Sequence, residues 1–297
     1  MGPRVVVVGD LLYDMLAKAE GDLTLGTDTF VPIQTSAGGS GANAAAWLAH
    51  ADVEVHFVGR VGDDAFGRFL EAEMERAGVT SYPARDPELA TGKVFVLVDG
   101  AGERTMITDR GASESLSPED LPEDLFSGGH LHLSGYTFSR GTRRQTALKA
   151  LQLARQAGMT VSADPSSVPL LESIGPERLL GWTGGADLFF PNLPEGQLLS
   201  SEKDPERIVE ALLPRYRAVV LKLGPEGAVY GDRNGKMLRL PAEPVRAEDT
   251  TGAGDAFSAG FLAAWLRGAS PEDALRGGVG LAAEAVARVG ARPTARF

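Results

Sequence analysis

Asp249-Thr250-Thr251-Gly252-Ala253-Gly254-Asp255 carries the residue types most suited to chemistry in this chain. A polar, glycine-broken turn runs into the apolar segment Phe261–Leu266, so Gly252, Ala253 and Gly254 read as the first turn of a helix. Backbone N–H groups there lack intrahelical partners, and the helix dipole adds partial positive charge. Glycines let a ligand approach that backbone closely, which suits an anion such as phosphate. Asp255 beside such a pocket suggests a base facing a hydroxyl that attacks the phosphate. The competing reading is an ordinary glycine-rich helix start, with Asp255 a first-turn acid favoured by the dipole.

A second set lies near the N-terminus. The β-branched run of residues 4–9 reads as a buried first strand, with Asp10 and Asp14 following it. Carboxylates just past a first strand lie where open α/β sheets bind ligands. Gly38-Gly39-Ser40-Gly41-Ala42-Asn43 then opens a helix over 44–50. Gly39-x-Gly41-x-x-Ala44 fits a loose dinucleotide fingerprint, yet that motif belongs after the first strand of its fold. The alternative is a turn presenting backbone amides and Asn43 to a polyol.

These residues need elements to position them. From residue 130 onward strand-like and helix-like segments alternate, predicting a doubly wound α/β fold with a mostly parallel sheet. The expected order is strand 130–134, helix 142–157, strand 160–164, helical segment 167–180, strand 187–190, helices 194–200 and 205–213, and strand 217–222. Strands are also expected at 54–58 and within 15–35. Hairpins are expected around Asp99–Gly102 and Arg233–Gly235, and helices over 64–77, 255–267 and 271–289. Asp164 ends a strand on the ligand edge of the sheet. His130 and His132 share one strand face and read as partly buried sheet residues rather than metal ligands.

The 297 residues are 43% hydrophobic with no cysteine, which excludes disulfides and thiolate catalysis. No apolar run reaches the ~18 residues of a membrane span, and no signal peptide is evident. The net charge of −11 argues against nucleic acid or an anionic membrane as partner. The expected location is cytoplasmic.

The stretch 249–260 resembles the second signature of the ribokinase-like (PfkB) family of carbohydrate and nucleoside kinases, and residues 37–67 resemble its first. The resemblance spans essentially the whole chain. It implies one ribokinase-like domain over 1–297, with a small β-sheet lid from about 12–35 and 91–109. It implies Asp255 as catalytic base, and the amides of Gly252, Ala253 and Gly254 as anion hole. Asp14, Gly38, Gly39 and Asn43 would bind substrate hydroxyls, joined by Asp164 and by either Arg104 and Met106 or Glu103 and Thr105 from the lid. Asn192 and Glu195 resemble the motif that places magnesium and phosphate, Glu195 acting through water. Lys222, Gly224 and Gly227 resemble the ATP-side strand and turn. Potassium-using members would place a monovalent cation among Asp249, Thr251, Ala285, Arg288, Gly290 and Thr294.

The expectation is therefore an ATP- and magnesium-dependent kinase, with K+ as an added cofactor, acting on a primary hydroxyl of a sugar or sugar-like compound. A homodimer through the lid sheet is the expected assembly. A nucleoside kinase of the same family and a nicotinamide-dependent oxidoreductase are the alternatives. Val168 and Ser40 stand where relatives carry an arginine and a lysine, and the acids Asp14, Asp164 and Asp255 repel anions. A neutral acceptor is expected on those grounds.

Overall fold

Val5, Val6, Val7 and Val8 are all fully buried, because the first strand is covered on both faces. The computed structural model describes residues 2–18, 26, 28–98 and 104–293. In chain order its strands are β1 (Arg4–Val8), β2 (Leu12–Lys18), β3 (Ile33–Gly38), β4 (Glu54–Gly62), β5 (Thr80–Asp86), β6 (Thr91–Val98) and β7 (Arg104–Gly111). There follow β8 (His130–Ser134), β9 (Thr160–Asp164), β10 (Leu188–Phe189), β11 (Ala218–Lys222), β12 (Ala228–Asp232) and β13 (Met237–Leu240). The helices are α1 (Ser40–His50), α2 (Ala65–Arg76), α3 (Gly141–Gln156), α4 (Val168–Ile174), α5 (Pro176–Thr183), α6 (Leu193–Ser200), α7 (Pro205–Leu212), α8 (Ala253–Leu266) and α9 (Pro271–Val286).

The large sheet has the order β13-β12-β11-β10-β9-β8-β1-β4-β5. It is parallel from β11 to β5, while the β11–β12 and β12–β13 pairs are antiparallel, so β12 alone runs against the others. Alternation along β1 sends Val5 and Val7 into one core layer with α1, α2, α8 and α9. Val6 and Val8 face the other layer, with α3 to α7. The fold is therefore the doubly wound α/β sheet that the sequence predicts. The strand order reverses about β1, so ligands are expected beyond the C-terminal edge there.

A second, four-stranded sheet has the order β3-β2-β6-β7. Its strands cover most of the expected lid segments, with β3 and β7 running on to Gly38 and Gly111. The Asp99–Gly102 turn lies outside the described residues, although β6 and β7 do pair antiparallel. Three details differ from expectation. Asp14 does not follow β1 directly but sits within β2, because the chain crosses to the second sheet first. The helical segment 167–180 is two helices, since Gly175 at φ 90° caps both α4 and α5. His130 and His132 are fully rather than partly buried, tied through Thr160 and Ser162. Burial lowers their pKa values to about 3 and 4, so both are neutral at pH 7.

Candidate active site

α8 begins at Gly252, which takes φ 75° and provides no side-chain cap. A Cβ there would lie 2.4 Å from the Ala291 carbonyl oxygen, so the turn requires glycine. Gly254 has no such crowding. Its Cβ would lie 3.4 Å from Lys222 Nζ, which places the bare helix start and the ammonium on the same space. The Ala253 amide reaches the Thr250 carbonyl at 3.3 Å, a long contact.

Asp255 occupies the first turn of α8 and is held from α1. Ser40 Oγ donates to its Oδ1 at 2.9 Å and Asn43 Nδ2 to its Oδ2 at 3.2 Å. Burial pushes its pKa up to about 7, with the Asp164 charge adding to the rise; Ser40, Lys222 and Asn43 oppose it. Asn43 is also engaged at its other end, where Arg292 Nε donates to Oδ1 at 3.1 Å. It therefore links Arg292 to Asp255 and keeps one N–H and one lone pair for a ligand.

The glycine turn before α1 is shaped by carboxylates. Gly41 N donates to Asp10 Oδ1 at 3.1 Å. A Cβ on Gly39, at φ 97°, would meet the Asp10 carbonyl oxygen at 2.4 Å. One on Gly38 would fall 2.1 Å from Asp14 Oδ2. Asp14 Oδ1 is buried without a hydrogen-bond partner, and burial pushes the group up to about 7, against the pull of Arg292. This turn follows β3 of the second sheet, so the dinucleotide reading loses its required context. Gly38→Ala is expected to push the Asp14 carboxylate aside and raise the acceptor KM at least roughly tenfold, with a smaller change in the ATP KM. Steady-state kinetics with each substrate varied in turn would check this.

Lys222 ends β11 and is buried. Its Nζ donates to Asp164 Oδ2 at 2.5 Å, and Ser258 Oγ donates to the same oxygen at 3.2 Å. Burial alone would lower the ammonium pKa, but Asp164 and Glu195 together hold it above the ordinary range. Asn192 and Glu195 form a reciprocal capping box at the start of α6. Both residues also line the cleft. Burial and the Asp164 charge push the Glu195 carboxyl upward.

These groups border one cavity of about 880 Å³. Ser40, Tyr136, Asp255, Lys222 and Glu195 give it polar lining, and Val245, Val279, Ala282 and Val286 apolar lining. Of the sequence-predicted residues, Gly252, Ala253, Gly254, Asp164, Gly224, Gly227 and Met106 also line it. Asn43 joins it through its bond to Asp255, whereas Asp14, Gly38 and Gly39 are not among its lining residues. Of the Arg104 and Met106 pair, Met106 faces the cleft, while the Arg104 side chain lies outside the described residues.

The expected cation residues form a closed knot. Asp249 accepts Thr251 N at 2.7 Å and Gly290 N at 3.0 Å. The Ala285 carbonyl accepts Arg288 N at 3.3 Å, and Arg288 Nη2 pairs with Glu284. Thr294 lies outside the described residues. Sequence reasoning did not place Arg292 against Asn43 of the acceptor loop, and it missed Tyr136 as a lining residue. The Gly290-Ala291-Arg292-Pro293 loop was the available signal for Arg292, but its partner Asn43 is 249 positions away.

The model of the pfkB family carbohydrate kinases matches residues 3–296. An ATP-dependent ribose-1-phosphate kinase from Halopiger xanaduensis is 33% identical, over 96% of this chain and 91% of its own length. A fructokinase from Klebsiella pneumoniae is also 33% identical, over 89% and 84%. The structure of a putative ribokinase II from E. coli in complex with ATP and Mg2+ superposes with a TM-score of 0.87 at 24% identity, covering 98% and 94%. The fold, the order of the glycine turns and a family model that spans nearly the full length agree, and the chain belongs to the pfkB family of carbohydrate kinases.

Proposed function

We propose that the protein transfers the γ-phosphoryl group of ATP to a hydroxyl of a sugar or sugar-like acceptor, with Asp255 as base. One observation carries this reading. Asp255 shares the first turn of α8 with Gly252–Gly254, while its two oxygens are held by Ser40 and Asn43 of the other glycine turn. Base, anion-binding backbone and acceptor loop thus meet at one point.

The roles follow from position. The apolar lining by Val245, Val279, Ala282 and Val286 suits adenine, and the Gly224–Gly227 turn, which shares the cavity with Lys222, suits the phosphates. The amides at the start of α8 face the γ-phosphoryl and stabilise the charge that grows on it. Beside Asp255, the remaining valences of Asn43 take acceptor hydroxyls, joined by Asp14 of the same glycine loop. Asp255 orients the attacking hydroxyl and receives its proton.

Lys222 is one cation among the carboxylates of Asp164, Glu195 and Asp255. A bound Mg2+ would supply the charge that this set lacks, with Glu195 placed to hold it through water. Among the described residues no three acidic or imidazole groups cage a metal, so phosphate oxygens and water would be its main ligands. The Asp249 knot ties its turn to the C-terminal loop by protein bonds. No step of the transfer is routed through K+.

The second sheet would act as the lid. Ile33 and Ile107 on it, and Phe30 beside it, are exposed and suit contact with a second copy of the chain. The acids at this site are not all unpaired. Asp164 is paired with Lys222, and Arg292 and Arg110 stand beside Asp14 and Asp10.

The test is ADP release from ATP and Mg2+ with a panel of sugars, sugar acids and sugar phosphates. Acceptor-dependent release is expected, and release that no acceptor stimulates would sink the reading. Asp255 and Asp14 both sit near pKa 7 and must be ionised to accept hydroxyl protons. So kcat/KM is expected to rise with pH through about 7, and to fall roughly a hundredfold per unit well below it, one factor of ten for each group. A flat profile between pH 5.5 and 8 would remove both groups from the rate-limiting chemistry.

A further inference from the structure

The last loop of the chain touches both glycine turns with adjacent residues. The Ala291 carbonyl oxygen would lie 2.4 Å from a Cβ on Gly252, so it backs the anion turn. Arg292 reaches the other turn. Its Nη2 donates to the Gly38 carbonyl at 2.9 Å and its Nε to Asn43 Oδ1 at 3.1 Å. Gly38 ends β3 of the second sheet, Asn43 lies in α1, and the chain passes between them through Gly39 at φ 97°. One planar guanidinium therefore spans the joint where the second sheet meets the main fold. The loop is itself fixed from three sides. Gly290 N donates to Asp249 Oδ2 at 3.0 Å, Trp47 Nε1 of α1 to the Ala291 carbonyl at 2.9 Å, and Arg292 Nη1 to Met74 Sδ of α2 at 3.4 Å.

Two features separate this arginine from an ordinary loop tie. Among the described residues none of its N–H groups is bonded to a carboxylate, although Asp14, Glu73, Asp10 and Asp255 all lie in its field. Two of its directed bonds go to oxygens of the acceptor segment, and its charge is left for the acids around it. Asp14 packs on Gly38, whose Cβ would fall 2.1 Å from Oδ2. Burial and the Asp10 charge raise the Asp14 pKa, and Arg292 opposes them. The second feature is direction. A guanidinium only donates, so it fixes which end of the Asn43 amide is oxygen. The N–H2 end is then the one that faces Asp255 Oδ2, at 3.2 Å. A reversed amide would set its oxygen against the carboxylate and disfavour the ionised base.

We propose that Arg292 is a positioning residue for the acceptor: it holds the Gly38–Asn43 segment in register with Asp255 and fixes the direction of the Asn43 amide. It acts through Gly38 and Asn43 rather than on the reacting atoms. This rests on the kinase reading of the cleft. The same loop backs Gly252 through Ala291, so the anion turn and the acceptor segment are set against each other by two neighbouring residues.

The experiment is equilibrium calorimetry on the full chain with fructose, adenosine, 2-keto-3-deoxygluconate and ribose 1-phosphate in turn, followed by ADP release with ATP and Mg2+. For the compound that serves best, Arg292→Gln is expected to lower kcat/KM roughly a hundredfold, the scale of two charge-assisted hydrogen bonds. The ATP dissociation constant should change by less than about threefold, because no bond of Arg292 reaches the ATP side of the cleft. In an Asn43→Ala background the same substitution should cost under about tenfold, since one of its two routes is already gone. Arg292→Lys keeps the charge and one donor and should recover roughly tenfold. Acceptor binding that Arg292→Gln weakens in the calorimeter, with no ADP release from the wild-type chain, would leave this inference standing and count against the kinase reading. Equal losses for acceptor and ATP, full additivity with Asn43→Ala, or no binding of any of the four compounds to the wild-type chain would overturn it, reducing Arg292 to a tie of the last loop.

Discussion

Replacing Asp255 with asparagine is expected to lower kcat by roughly 10²-fold or more, the range for loss of a general base. The substitution keeps shape and nearly all packing, so the ATP dissociation constant should change by less than about threefold. The local bonds explain why the loss is chemical. Ser40 Oγ can donate to the new amide oxygen as it now donates to Oδ1. The Asn43 amide, which donates to Oδ2, would face an N–H2 group and lose one bond worth about 1 kcal/mol. That cost falls on stability and position, whereas the lost proton acceptor falls on turnover. Single-turnover ADP release together with ATP titration separates the two. Turnover near the wild-type rate would remove Asp255 from the reaction, whatever its hydrogen bonds.

What could be read in the sequence was what is local. Gly252–Asp255 is a turn and a helix start within seven residues, and its required φ and its small residues are written side by side. Asn192 and Glu195 form an i, i+3 box, which spacing alone predicts. The strand and helix alternation gave the parallel sheet for the same reason, since periodicity is a property of each segment. The partnerships that set charge were not local. Lys222 meets Asp164 across 58 positions, Arg110 meets Asp10 across 100, and Arg292 meets Asn43 across 249. A carboxylate whose partner is unseen reads as an unpaired acid, and the neutral-acceptor expectation rests in part on counting such acids, beside Val168 and Ser40. Asp14 was misplaced for a related reason. A strand pattern does not reveal which sheet the strand joins, and β2 leaves the main sheet immediately after β1.

Lys222→Met is expected to be the most damaging change away from Asp255, in two separable ways. The ammonium is buried against Asp164, with Glu195 and Asp255 also in its field. Removing one member of a buried pair leaves an uncompensated charge and costs about 3–5 kcal/mol. At about 2–4 °C per kcal/mol for a chain of this size class, the melting temperature should fall on the order of 10 °C. The same loss withdraws a positive charge that holds Asp255 down, so its pKa should rise and the acid limb of kcat/KM should move to higher pH. The double variant Lys222→Met/Asp164→Asn separates this tuning from direct contact. Asp164 is the charge that raises Asp255 after burial, so removing it with Lys222 should return both the melting temperature and the acid limb toward wild type. Turnover should nevertheless stay at least roughly tenfold low, because the ammonium that shares the space in front of Gly254 would be gone from the migrating phosphoryl group. Wild-type turnover in the double variant would reduce Lys222 to a structural partner of Asp164 and leave the helix amides and the metal to carry that charge.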